Sequence, residues 1–272
     1  MIDYKIWCTY HDKKLIDEYK LKETAHFKLY YTKDELKNKI SLNYVQEFLN
    51  EWVTQYYVWK NNIKSDLVGF CHYRRNIYQY INDEILYHII NYSQYKTFIT
   101  NPVNITIKNT YLYECNNYSI LMDYNFFGLG LHYDLILNYI KENYSLYIYE
   151  RTIKVFNSVY SRQNYGEIYI CKWNIFCELM KFIDGYIKYL FNKLFNLPIK
   201  ELYEYTYEKY DKLSYYLNNE NFRLRKEYIK TLNLNEETSN NFQFAGYPRS
   251  MGFMIEYTIG IFWNIFINGN NY

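Results

Sequence analysis

Short apolar runs along the chain alternate with segments whose apolar residues return every three or four positions, and that alternation predicts strands interleaved with helices. Residues 5–9 and 27–31 read as the first two strands, the second flanked by His26 and Thr32. Residues 67–71 form a third, and residues 95–100 a fourth that stops at the turn signal Asn101-Pro102. Trp52, Tyr56 and Trp59 repeat at helical spacing within residues 43–61. Residues 134–143 read as a helix, 168–171 as a buried strand, 173–195 as a long amphipathic helix and 254–267 as a core helix. The polar stretch 201–241 reads as helical with a looser end near 233–241. Strands that alternate with helices argue for a sheet covered by helices rather than a bundle.

The third strand ends abruptly. Leu67, Val68, Gly69, Phe70 and Cys71 suit a strand buried on both faces. His72, Tyr73, Arg74 and Arg75 follow at once. Two guanidiniums at a strand end must face water or an anion, because an unpaired buried charge is costly. Loops at the carboxyl ends of strands in α/β sheets bind ligands, and paired arginine forks grip phosphate oxygens. The competing reading is an ordinary solvated basic turn.

Composition adds boundaries rather than an identity. At 272 residues, 49% hydrophobic and 22% charged, the chain can bury a sizeable core as one large α/β domain or two small ones. Aromatic residues reach 22%, with 38 Tyr and 17 Phe. Sugars stack on aromatic faces, but Tyr, Asn, Ile and Lys also share AT-rich codons, which explains the bias without function. A net charge of +2 gives no global basic footprint, so nucleic acid is not an expected partner. The five cysteines (Cys8, Cys71, Cys115, Cys171 and Cys177) include no C-x-x-C pair, which fits reduced, buried thiols and a cytoplasmic location. The N-terminus lacks the apolar run of a signal peptide. Residues 254–267 are too short for a membrane span and carry Glu256 and Asn264.

Glu51, Trp59, Lys60 and Asn61, followed by Asp66, Gly69, His72, Tyr73, Arg74 and Arg75, resemble the signature of a glycosyltransferase family found in capsular and exopolysaccharide gene clusters and long catalogued as a domain of unknown function. Lys5-Ile6-Trp7-Cys8 and His11 resemble its first strand and turn, with Asp12 in place of a Lys. Asp134-Leu135 stands in the place of the family's Asp-Leu pair. Residues 168–172 resemble a further family strand, with Glu167 replacing an Asn. Arg249, Gly252, Phe253 and Glu256 resemble its closing motif, with Tyr257 in place of the last Arg. The resemblance implies an α/β fold, a GT-A-like mixed sheet flanked by helices with a helical C-terminal part. It also implies one domain over 1–272, with the nucleotide-sugar part at about 1–130 and the acceptor and closing part at about 131–272.

The activity it implies is transfer of a sugar from a nucleotide-sugar donor, a UDP-hexose with galactofuranose as one candidate, to a glycan, polysaccharide or glycoprotein acceptor. The donor-side candidates are His11, Glu51, His72, Tyr73, Arg74, Arg75 and Arg249. Transfer needs a base for the acceptor hydroxyl. Asp134 is the first candidate and Glu256 the second. The structural readings set against them are a helix cap or first-turn acid for Asp134, a buried pair with Arg249 for Glu256, and a surface acid for Glu51. Glycosyltransferases of this fold often hold a divalent cation with Asp-x-Asp, and this chain contains none. An arginine pair can stabilise a departing diphosphate instead, so no metal and no cofactor is expected to be required, manganese being the alternative. The rival function is a non-catalytic nucleotide- or sugar-binding protein on the same fold.

Overall fold

The computed structural model describes residues 2–34, 39–43, 49–91, 97–98, 130–157, 168–195 and 250–267. Five strands, β1 (Tyr4–Tyr10), β2 (Phe27–Tyr31), β3 (Leu67–His72), β4 (Thr97–Phe98) and β5 (Tyr169–Lys172), form one sheet in the order β2-β1-β3-β5-β4. β1 runs parallel to both β2 and β3. β5 runs antiparallel to β3 and β4. The described helices are α1 (Lys14–Glu18), α2 (Trp52–Lys60), α3 (Asp83–Asn91), α4 (Gly130–Asn143), α5 (Leu146–Asn157), α6 (Trp173–Phe195) and α7 (Ser250–Phe262), the last continued by a π-turn, Trp263–Ile267. The fold is of the expected α/β class: a mixed sheet flanked by helices and, among the described residues, helical towards its C-terminus.

The chain divides into two compact units, Met1–Thr110 with Asn164–Phe182, and Tyr111–Gln163 with Ile183–Tyr272. The first contains the sheet. Alternation along its strands sends Ile6, Cys8 and Tyr10 of β1, Leu67 and Cys71 of β3, and Ile170 of β5 into one core with Phe27, Ile77, Leu86 and Ile89. The opposite face meets α2 and the start of α6. There Thr9 and Thr54 share a buried hydroxyl hydrogen bond of 2.7 Å, and the Tyr169 hydroxyl donates to Gln55 Oε1 at 2.6 Å. Phe70 packs on Phe176, their ring centres 5.2 Å apart. Gly69 sits where β3 and β5 approach closely. A Cβ there would lie 3.0 Å from the Tyr169 carbonyl oxygen and 3.1 Å from the Ile170 Cβ.

The second unit is helical where described. Tyr139 of α4 packs its ring 5.6 Å from those of both Tyr186 and Tyr189 of α6. Gly185 leaves room for the Tyr139 hydroxyl, which a Cβ at that position would strike. Arg151 of α5 donates from Nη2 to the Asn264 carbonyl of the π-turn at 3.5 Å.

Several elements depart from the sequence reading. The helix expected over 43–61 is described only as Trp52–Lys60, and Asn50, with φ of 50°, breaks the chain direction just before it. The core helix expected over 254–267 begins at Ser250, and its last five residues are π. The apolar pattern marks no helix at α1, α3 or α5. α3 has a sequence signal in Asn82, whose Oδ1 accepts the Ile85 N–H at 2.9 Å as a helix cap. α5 is rich in aromatic and β-branched residues of modest helix propensity, and burial of Val155 and Phe156 holds it instead. The expected strand over 95–100 is described at 97–98, and the segment 201–241 lies outside the described residues.

Candidate functional site

The parallel strands β1, β2 and β3 end together. Tyr10 lies beside Tyr31 and Thr9 beside His72 in the strand register. The residues that follow therefore gather at one edge of the sheet. His72, last residue of β3, alternates to the α2 face with Val68 and Phe70. Its Nε2 lies 3.2 Å from Oε1 of Glu51, the residue that precedes α2. The other ring nitrogen, Nδ1, accepts the Arg74 N–H at 3.2 Å. The His72 carbonyl accepts the Arg75 N–H at 2.8 Å. Glu51 is thus not the surface acid of the structural reading, because the imidazole of β3 draws it in. Arg74 and Arg75 are exposed and project from the turn that His72 closes.

Tyr73 is the hub of this edge and is only 8% exposed. Its ring lies 3.8 Å from that of His72, 5.8 Å from His11 and 5.0 Å from Tyr19 of α1. The Arg74 guanidinium carbon stands 5.3 Å from the ring centre, in cation–π range. A second stack adjoins β1: Tyr10 and Tyr31 lie 5.1 Å apart, with Lys13 Nζ 5.2 Å from the Tyr31 ring centre. Burial raises the Tyr10 hydroxyl pKa, and neighbouring Asp34 and Glu23 add to it. The Tyr19 hydroxyl is raised too, by desolvation first and then by Glu18. Both stay protonated at neutral pH and can donate. The edge sets exposed guanidiniums over the buried Tyr73 ring and beside the half-buried rings of Tyr19 and Tyr31, a combination that suits an anion.

The remaining signature residues hold the frame. Lys60 Nζ covers the Trp59 ring at 3.8 Å. Asn61 closes α2, donating from Nδ2 to the Tyr57 carbonyl at 2.9 Å and the Ile40 carbonyl at 2.7 Å. Asp66 accepts the Asp3 N–H at 3.0 Å and so ties the approach of β1 to that of β3. Asp12 accepts the Lys14 N–H at 3.0 Å at the head of α1. Beneath the edge, Cys8 and Cys71 face each other in register and are buried. The hydrogen bond between them, and then burial, pushes the Cys8 thiol well up. Cys8, Cys71, Cys171 and Cys177 are all free thiols, and burial pushes Cys171 up as well. Cys115 lies outside the described residues.

The structure brings His11, Glu51, His72, Tyr73, Arg74 and Arg75 together in the first unit; Asp134 and Glu256 belong to the second. Asp134 is neither a cap nor a first-turn acid, because α4 starts at Gly130. Its side chain is exposed, yet packing around it desolvates the carboxyl and raises its pKa. Glu256 is half-buried on α7. Arg249 and Glu167 lie outside the described residues, so the expected Arg249–Glu256 pair does too. Sequence reasoning missed Tyr19, Tyr31 and Lys13. Tyr31 was within reach, as a carboxyl-end residue of a strand already identified. Tyr19 depends on how α1 packs, which no local pattern encodes. Among the described residues no three His, Cys, Asp or Glu side chains are grouped to hold a metal ion. Among them no helix is long and apolar enough to cross a membrane.

The family model described as "Domain of unknown function (DUF4422)" matches residues 18–218, and the chain belongs to that family. The match takes in Glu51 through Arg75 and Asp134, and leaves β1, His11, Arg249 and Glu256 outside it. No curated protein matches the chain. The chain is similar to a solved structure, the WbbM bifunctional glycosyltransferase in apo form, at 14% identity and a TM-score of 0.48. The similarity covers 96% of this chain and 42% of that one, so the chain spans less than half the length of that protein.

Proposed function

We propose that this protein is a glycosyltransferase that moves a sugar from a nucleotide-sugar donor, a UDP-hexose with galactofuranose as one candidate, to a hydroxyl of a glycan, polysaccharide or glycoprotein acceptor. The observation that carries this reading is the exposed Arg74–Arg75 pair, set by the turn after β3 beside the Tyr73 ring. Exposed guanidiniums at the carboxyl end of a central strand suit a diphosphate, which accepts several charge-assisted hydrogen bonds at once. His11 and the half-buried rings of Tyr19 and Tyr31 suit the nucleoside, while Glu51 and His72 complete the donor side. Arg249 is the donor-side candidate from the closing motif.

In the reaction the acceptor oxygen forms a bond to the anomeric carbon as the bond from that carbon to the phosphate oxygen breaks. The diphosphate leaves with the electron pair, and the acceptor proton passes to a carboxylate. Asp134 is the first choice for that base, with Glu256 second. The raised pKa of Asp134 makes it a better proton acceptor than an ordinary surface aspartate. Arg74 and Arg75 stabilise the charge that develops on the leaving group, the task a divalent cation performs elsewhere. We therefore propose transfer that needs no metal. Buried free thiols favour a reducing compartment, and we place the protein in the cytoplasm.

A thermal-shift panel of UDP- and GDP-sugars, followed by donor hydrolysis assays, tests the reading. A rise in Tm with one donor, together with slow hydrolysis of it, is expected. Tight binding with no turnover under any acceptor would favour a binding protein on the same fold, and no shift with any nucleotide would overturn both.

A further inference from the structure

Resting on the donor-site reading above, we propose that His72 is a positioning residue: held between Glu51 and the Arg74 amide, its ring fixes the turn that presents both arginines to the diphosphate. A backbone N–H only donates, so the Nδ1 that receives the Arg74 N–H at 3.2 Å must offer a lone pair. The ring proton therefore sits on Nε2, 3.2 Å from Glu51 Oε1, and is donated to that carboxylate. The hydrogen-bond partners thus select one tautomer of the neutral imidazole. The carbonyl of the same residue accepts the Arg75 N–H at 2.8 Å. One residue terminates the amides of both arginines, and the carboxylate at the head of α2 holds its ring in place.

Exposure divides the labour in the same way. The side chains of His72 and Glu51 are 12% and 22% exposed, whereas both arginines face solvent. The pair is the mount and the guanidiniums are the working ends. His72 acts through its neighbours and needs no contact with the donor itself. That separates it from the direct donor contact expected from the sequence.

Asparagine distinguishes the two roles. Its side-chain oxygen accepts the N–H two residues on, as in an Asx-turn, but it supplies no ring. His72→Ala is expected to weaken UDP binding by about 10-fold or more, since charge-assisted bonds to the diphosphate are misplaced. Uridine binding should change by less than about two-fold, because the nucleoside does not use the arginines. His72→Asn should recover most of the lost UDP affinity. If Asn is as damaging as Ala, or if UDP and uridine weaken equally, His72 touches the donor and the positioning role is wrong. The nitrogen NMR shifts of His72 provide a measurement that needs no ligand and no folded variant. An unprotonated Nδ1 and a protonated Nε2 are expected, and the opposite tautomer overturns the proposal. A protein that binds no nucleotide would sink the donor-site reading, and the ring-nitrogen shifts would then decide the role of His72 on their own.

Discussion

Tyrosine is used in two ways in this molecule. At the carboxyl edge of the sheet its rings meet cations and imidazoles: Tyr73 lies against His11, His72 and Arg74, and Tyr31 against Lys13. Among the helices of the second unit its hydroxyls meet carboxylates and one another. Tyr189 donates to Glu142 Oε1 at 2.9 Å, and Tyr139 lies 3.4 Å from the Tyr144 hydroxyl. Burial first, then the bond to Tyr144 and the charge of Asp184, raises the Tyr139 pKa well above the ordinary value. The same side chain thus serves as a π-face for positive groups in one region and as a proton donor to negative ones in the other. A count of tyrosines therefore carries no function, and their neighbours decide it.

The strongest way to break that division is at the proposed base. Asp134→Asn is expected to lower transfer by about 10²–10⁴-fold, because the amide takes no proton at neutral pH. Donor affinity should stay within a few-fold and Tm should hold, since the residue is exposed on a helix that continues on both sides. Transfer at near wild-type rate would leave the second unit without its assigned chemistry and turn attention to Glu256. Arg74→Ala and Arg75→Ala test the other side. Each is expected to weaken UDP by roughly 1.5–3 kcal/mol and to leave uridine nearly unaffected. Isothermal titration with the two ligands reads the difference, and equal losses would remove the phosphate role from the sheet edge.

Two glycines sharpen the contrast at the level of packing. Gly69→Ala drives a methyl to 3.0 Å from a carbonyl oxygen in the middle of the sheet, where the backbone cannot yield. A loss of about 1–3 kcal/mol is expected in denaturant unfolding. Gly185→Ala meets only the tip of Tyr139, and the better helix propensity of Ala returns about 1 kcal/mol. Its net effect should be smaller, and a larger loss than at Gly69 would show that the tyrosine cluster is the more rigid region.

Tyr189 gives a subtler signal. Burial, and then the bond to Glu142, raises its pKa to about 12. A hydroxyl raised above its unfolded value stabilises the fold fully below pH of about 10, and loses that contribution as pH rises through about 12. Tyr189→Phe should flatten this part of the alkaline stability profile; an unchanged profile would show that neither burial nor the bond to Glu142 raises this hydroxyl. The smallest expected effect is that of EDTA. Transfer should survive chelation, and complete loss restored by manganese would show that a cation shares the work of the arginines.

Much of this was legible in the chain because the signature is contiguous. The run Leu67 to Arg75 encodes both a buried strand and the turn that ends it, so β3 and its arginines could be read together. The extents of β2 and α6 were readable because apolar periodicity and composition agree there. What was not legible required a partner distant in sequence. Glu51 and His72 each stand in the signature, but their pairing depends on β3 emerging beside the head of α2. Tyr19 reaches Tyr73 only through the packing of α1, a five-residue helix with no buried residue of its own. The helix-terminal reading set against Asp134 as base fails at Gly130, because nothing in the sequence marks that residue as the earlier start of α4.

The place of β5 in the chain has a consequence for biosynthesis. It pairs Cys171 with Val68, some hundred residues apart, and the first segment of the second unit lies between the two parts of the first. A ribosome adding ~5–20 residues per second needs several seconds to make that stretch. Throughout that interval the nascent β3 has β1 on one side and an open, apolar edge on the other, the kind of edge that recruits foreign strands. Closing so long a loop also slows folding more than it weakens the finished sheet. A polypeptide interrupted before residue 164 would carry its arginine turn but not the strand that covers β3, and should be sticky rather than merely inactive.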